Sequence, residues 1–229
     1  MFSVIFPGQG SQSVGMVKDL YNNYTYIKDL FKLADDVLGY SITKMILEGP
    51  KEELDLTKNT QPAIFLSSFS IFEMIKKESK LKLSDAKYFA GHSLGEYSAL
   101  AATGSLDFES TLKLLHERGK SMQTSVPRGT GGMLAVLGAD IKEISSLLDE
   151  NKKKYKCYIA NDNSNGQIVL SGLNSDIEKI ISDLKEKNIK NIKLPVSAPF
   201  HCDLMGNATK IMIEELSKLN FKNGQNKLI

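Results

Sequence analysis

The sequence predicts an α/β protein in which a small domain interrupts a larger one. Two observations carry this. Residues 91–97, Gly-His-Ser-Leu-Gly-Glu-Tyr, follow the apolar stretch Lys87-Tyr88-Phe89-Ala90 and form a G-x-S-x-G pattern between a strand and a helix. Between Gly131 and Val196 the patterning runs β-α-β-β-α-β, the order of a ferredoxin-like split unit. The predicted division is residues 1–128 and 197–229 for the larger, catalytic domain and 129–196 for the insert.

The larger domain opens with a strand, Ser3 to Phe6, running into Pro7-Gly8-Gln9-Gly10-Ser11-Gln12. Helical spacing follows around Met16–Tyr21 and over Ile27–Leu38, where Leu30, Phe31, Ala34, Val37 and Leu38 share a face. Thr60 is expected to cap a long helix from about Gln61, with Pro62 in its first turn. That helix is apolar on all sides, which predicts burial against a sheet. The G-x-S-x-G turn comes next. Glycines at 91 and 95 let the chain cross tightly and lift Ser93 clear, and the helix behind it is expected to stop at Gly104. A helix from about Asp107 to Gln123 should turn Leu112, Leu115, Gly119 and Met122 inward.

In the insert, Met133–Leu137 is the first strand and Asp140–Glu150 the first helix, with Ile141, Ile144, Leu147 and Leu148 inward. Lys156–Ala160 and Gln167–Leu170 are strands joined by an Asn161–Gly166 loop. Asn174 is expected to cap a helix through Lys187, and Ile189–Val196 to be the last strand. At the other extreme of the chain, Lys227-Leu228-Ile229 reads as the start of a strand, so a truncated sequence is expected.

Composition narrows the function. The chain has 229 residues, 41% hydrophobic and 24% charged, with a net charge of +2. That balance is ordinary for a globular protein and too weak to argue for nucleic acid. No run approaches the roughly 18 apolar residues of a membrane span, and no signal-peptide pattern precedes Pro7. The two cysteines, Cys157 and Cys202, supply neither a disulfide framework nor a metal cluster, which points to a reducing cytoplasmic compartment.

Ser93 needs a base, and there are three histidines. His92 adjoins the serine, where neighbouring side chains diverge. His116 lies mid-helix beside charges, as a surface or boundary residue. His201 sits after the last strand in Val196-Ser197-Ala198-Pro199-Phe200-His201-Cys202 and is favoured, a helix-capping role being the alternative. Arg118 and Arg128 are the only arginines among 29 basic residues. Arg118 lies beside a packing face, where the guanidinium fork would suit a carboxylate; an ordinary surface arginine is the alternative. The Pro7–Gln12 loop lacks the third glycine of a dinucleotide fingerprint and any P-loop lysine. A backbone loop close to Ser93 fits it better, one that could pair its amide with that of Leu94 as an oxyanion hole; a plain turn is the alternative.

Pro7–Gln12, Gln61-Pro62-Ala63, Gly91–Tyr97, Arg118, Asn163–Gln167 and Ser197–His201 together resemble the malonyl-CoA:acyl-carrier-protein transacylase family of type II fatty acid synthesis. The resemblance implies an α/β-hydrolase-like parallel sheet core with the ferredoxin-like insert. It implies Ser93 as nucleophile, His201 as base, Arg118 as the malonate clamp, and the Gln12 and Leu94 amides as the oxyanion hole. Gln9, His92 and Phe200 would line the substrate pocket, and the bulk of Phe200 would crowd a 2-methyl branch. The partners implied are malonyl-CoA and acyl carrier protein, with no nucleic acid, membrane, cofactor or metal, and a monomeric chain. Family members continue beyond the equivalent of Ile229 with a strand, helices and a glutamine at the site. Two rivals are a serine hydrolase recruiting Asp162 or Asp176, and a non-catalytic protein binding acyl carrier protein through its lysines.

Overall fold

The structure, a computed structural model, describes residues 2–127, 129–196 and 198–229. Arg128, and Ser197 at the head of the histidine motif, lie outside the described residues. In chain order the elements begin β1 (Ser3–Phe6), α1 (Lys18–Asn23), α2 (Thr25–Leu38), α3 (Ile42–Glu48), α4 (Lys51–Leu54) and α5 (Thr57–Glu78). Then come β2 (Tyr88–Gly91), α6 (Gly95–Ala102), α7 (Phe108–Thr124), β3 (Gly131–Leu137), α8 (Ile141–Glu150) and β4 (Cys157–Ser164). The remainder are β5 (Gln167–Leu173), α9 (Asn174–Glu186), β6 (Lys190–Lys193), α10 (Gly206–Ser217) and β7 (Lys227–Leu228). Contacts divide the chain into two compact units, Met1–Lys120 with Met212–Ile229, and Ser121–Ile211.

The first unit holds a parallel sheet ordered β1-β2-β7, with Phe6 opposite Gly91 and Phe89 opposite Leu228. The strand expected around Lys227 is therefore present as β7. Helix α2 buries Ile27, Phe31 and Ala34 on one stripe and stops at Gly39, whose φ of 74° is the left-handed cap conformation that glycine adopts without strain. Helix α5 starts at Thr57, earlier than the expected start near Gln61. Thr60 is inside the helix and does not cap it: its hydroxyl donates to Leu54 O at 2.6 Å, and Asn59 Nδ2 donates to Glu53 O at 2.8 Å. These bonds satisfy a buried polar first turn, so the helix extends N-terminally of the proline. Pro62 then lies past that turn and cannot donate to Lys58 O. His116 Nδ1 lies 3.1 Å from that carbonyl. Ile64, Phe65 and Leu66 of α5 are buried in a cluster built from helices, each worth about 1.5–3 kcal/mol. Only farther along does α5 meet the sheet, through Phe72 against Phe6 and Phe89.

The second unit holds an antiparallel sheet ordered β4-β5-β3-β6. Its two faces follow from the strand period of two. Leu134 pairs with Leu170 and Val136 with Ile168, and these four join Ile144, Leu147, Ile177 and Ile180 of α8 and α9 in one core. Met133 and Val169 face the other way, into a cluster with Met122, Ala198, Phe200 and Met205.

Three details differ from expectation. The expected six-residue loop shrinks to Asn165-Gly166, because β4 continues through Ser164 with irregularities after Ile159 and Asp162. Gly166 closes the turn with φ 80°. Asn174 is the first residue of α9 and makes no cap bond; its Nδ2 donates to Gly129 O at 2.7 Å instead. Strand β6 ends at Lys193: Leu194 still donates to Met133 O, but Pro195 has no N–H to continue the ladder. Among the described residues no helix is long and apolar enough to cross a membrane.

Candidate active site

Ser93 stands at the junction of β2 and α6 with φ 54°. Such a conformation costs a non-glycine residue about 1–3 kcal/mol and persists only when its surroundings dictate it. They do. A Cβ on Gly91 would come within 1.9 Å of Gly95 C, and one on Gly95 within 2.4 Å of Phe6 O. The turn is closed by hydrogen bonds from Gly95 N to His92 O, Glu96 N to Ser93 O and Tyr97 N to Leu94 O, while His92 N donates to Phe6 O. Leu94, next after the serine, anchors the turn with a side chain 1% exposed. Leu94 is the N-cap of α6, so its own N–H lies ahead of the helix ladder, where helix geometry provides no partner. The serine is thereby presented at a helix N-terminus with a backbone donor beside it.

Arg118 reaches the same place from α7. Its Nη2 donates to Ser93 Oγ at 3.3 Å and its Nη1 to Gln61 Oε1 at 2.8 Å. The guanidinium carbon lies 5.5 Å from the centre of the Tyr97 ring. Burial lowers the Arg118 pKa, and Tyr97 and Glu96 oppose that shift; an arginine so placed stays charged. Burial likewise raises the Tyr97 hydroxyl, partly offset by Arg118. The result is a fixed, partly desolvated positive charge next to a strained serine.

The loop after β1 comes close as well. A Cβ on Gly8 would lie 2.6 Å from His92 Nδ1, so only glycine allows the loop to pass there. Gln12 ties the loop down, accepting from Gly10 N at 2.8 Å and donating to Asp55 Oδ1 at 2.8 Å. Burial acts to raise the Asp55 carboxyl, but the bonds from Gln12 and Lys51 hold it below the ordinary carboxylate range. Gln9 Nε2 donates to Thr57 Oγ1 at 3.5 Å.

His201 and Phe200 belong to the second unit. Pro199 is wedged against β3, where a Cβ on Gly131 would meet its ring at 2.4 Å. Phe200 is 5% exposed in the cluster with Met133 and Val169. His201 is exposed, with φ 57°, and Cys202 Sγ donates to Pro199 O behind it. Buried Ala198, Pro199 and Phe200 before it and half-buried Cys202 after it thus hold an exposed imidazole on a stiff turn. Among the described residues no group of three or more His, Cys, Asp or Glu side chains could hold a metal.

The structure brings Ser93, Arg118, Leu94 and His92 together within the first unit. It adds two residues to which sequence reasoning gave no role, Gln61 and Tyr97. Both stood inside the quoted motifs, Gln61-Pro62-Ala63 and Gly91–Tyr97, but nothing local showed that both face Arg118. His116, half-buried, caps the Lys58 carbonyl, in keeping with a boundary residue.

The acyl transferase domain model matches residues 3–227. The malonyl CoA-acyl carrier protein transacylase of Haemophilus influenzae is 40% identical over 219 residues, covering 95% of this chain and 70% of that protein. The crystal structure of the transacylase from Clostridium perfringens superposes with a TM-score of 0.92 at 36% identity, over 99% of this chain and 71% of that one. A malonyl-transacylase in complex with a type II polyketide acyl-carrier protein gives 0.93 at 36% identity, over 100% and 73%. The mixed architecture of one parallel and one antiparallel sheet is that of these structures. The chain belongs to the acyl transferase domain family and, within it, to the malonyl CoA-acyl carrier protein transacylases.

Proposed function

We infer that this chain is an acyl-carrier-protein S-malonyltransferase, moving a malonyl group from malonyl-CoA to the phosphopantetheine thiol of acyl carrier protein in fatty acid synthesis. One observation carries this reading beyond family membership: a half-buried guanidinium lies 3.3 Å from the hydroxyl at the strained turn. A serine acylated by a dicarboxylic half-thioester presents a second carboxylate only a methylene beyond the new ester carbonyl. A fixed cation beside the hydroxyl is matched to that group.

The proposed cycle is ping-pong. His201 removes the Ser93 proton, and Oγ attacks the thioester carbonyl. The oxyanion is stabilised by the Gln12 and Leu94 amides, each such donor typically contributing about 2.7–4 kcal/mol. The C–S bond breaks, CoA leaves with the proton from His201, and malonyl-Ser93 remains. The carrier thiol then attacks the ester, again with His201 as base, and Ser93 is regenerated. Arg118 selects the acyl group: acetyl leaves the guanidinium without its carboxylate, a penalty of about 2–5 kcal/mol. Phe200 and Gln9 are assigned to the pocket wall and His92 to the mouth beside Ser93.

The finer architecture belongs to the same proposal: an α/β-hydrolase-like core of residues 1–128 and 197–229, with a ferredoxin-like insert at 129–196. The strand order β4-β5-β3-β6, all antiparallel with α8 and α9 on one face, supports the second part. A cytoplasmic, monomeric enzyme completes the reading; both cysteines being unbridged accords with it.

The test is acceptor dependence. Malonyl-CoA consumption is followed with acyl carrier protein present and with water as sole acceptor. Turnover that requires the carrier supports the transferase; equally fast turnover in water alone makes the chain a hydrolase.

A further inference from the structure

Gln61 is 1% exposed in the second turn of α5, and its Oε1 accepts from Arg118 Nη1 at 2.8 Å. The amide orientation is unambiguous, because a guanidinium has donors and no acceptor. The contact fixes one arm of the fork, while the Tyr97 ring lies alongside and the other arm faces Ser93 Oγ. Gln61 therefore holds the guanidinium in place.

The chemical identity of that holder matters more than its shape. Glutamate has the same size and the same oxygen, and it would make a stronger, charge-assisted bond. It would also pair the guanidinium permanently and put a second negative charge where a substrate carboxylate must arrive. Glutamine orients Arg118 with a dipole and adds no negative charge of its own. We propose that Gln61 is the positioning residue for Arg118 and that its neutrality sets the preference of the site for a carboxylate-bearing acyl group. This rests on the malonyl-transfer reading of the site and adds to it a residue of α5 that acts through Arg118.

The experiment compares initial rates of acyl-Ser93 formation from malonyl-CoA and from acetyl-CoA in the full chain, for the wild type, Gln61→Glu and Gln61→Met. Gln61→Glu is expected to lower the malonyl-to-acetyl ratio about 100-fold, since it compensates a buried charge that the substrate would otherwise meet. Gln61→Met keeps the volume and the charge but drops the acceptor; malonyl acylation should slow about tenfold, with acetyl acylation little changed. A purely structural role would slow both acyl groups alike. A wild-type ratio in folded Gln61→Glu overturns the proposal. Should that variant fail to fold by circular dichroism, a wild-type ratio in Gln61→Met does so. A wild-type chain that takes up no malonyl group overturns the transfer reading itself, and this proposal with it.

Discussion

Gly119 of α7 lies so close to Thr57 of α5 that a Cβ on it would come within 2.4 Å of the threonine carbonyl oxygen. The neighbouring residue is Arg118. The closeness of these two helices therefore decides how far the guanidinium reaches toward Ser93.

Gly119→Ala is expected to reduce both stability and malonyl transfer. Alanine gains about 1 kcal/mol of helix propensity, but here its methyl group meets a backbone atom that cannot swing aside. Overpacking of that kind costs about 1–3 kcal/mol, so the clash wins. A thermal melt should show a lower Tm, and the malonyl rate should fall more than the acetyl rate because Arg118 is displaced. A higher Tm would show that the helices can part freely.

Arg118→Ala should slow malonyl acylation by about two to three orders of magnitude, the equivalent of an unpaired buried charge pair. Acetyl acylation should hold or rise. Arg118→Lys should recover only part of the loss, because one ammonium cannot make two parallel bonds. Rates of acyl-enzyme formation with the two thioesters check this directly. An unchanged ratio in Arg118→Ala removes the clamp.

Much of this site is visible in the sequence. Glycines at 91 and 95, a strand before and good helix formers after specify the turn at Ser93, and both glycines prove sterically required. Arg118 stands out through the scarcity of arginine. What surrounds Arg118 is not legible. Gln61 is 57 positions away along the chain, and the two meet only because Gly119 admits a close helix crossing. Local periodicity says which face is buried and nothing about which polar side chains meet across it. The early start of α5 was hidden for a similar reason: a proline signals a first turn, but the side chains of Asn59 and Thr60 satisfy carbonyls of the preceding segment and carry the helix back to Thr57. Strand β6 stops short because one proline outweighs the apolar residues around it.

Gly91→Ala should prevent accumulation of folded protein. Its methyl group would sit 1.9 Å from Gly95 C, inside the covalent framework of the turn, with no side chain able to yield. Soluble yield and circular dichroism measure the effect. A well-folded, acylatable variant would mean that the turn at Ser93 is looser than described.

Acid stability should depend on Asp107, just before α7. Its carboxylate accepts from Ser110 N at 2.8 Å, and that bond, against a smaller effect of burial, holds its pKa below the ordinary value. A depressed folded pKa gives stability that is fully present above the unfolded value near 3.9 and lost as pH falls through the folded one. Asparagine caps helices as well as aspartate but does not titrate. The Tm of Asp107→Asn should therefore change less between pH 6 and about pH 3 than the wild-type Tm does. Parallel acid limbs for the two proteins would remove Asp107 from the account.

The central claim is that Ser93 carries the acyl group. Intact-mass measurement after brief exposure to malonyl-CoA, followed by peptide mapping, addresses it most directly. One malonyl adduct per chain, located on Ser93, lost in Ser93→Ala and strongly slowed in His201→Ala, is the predicted result. An adduct on another residue, or one that forms equally well in Ser93→Ala, would contradict it.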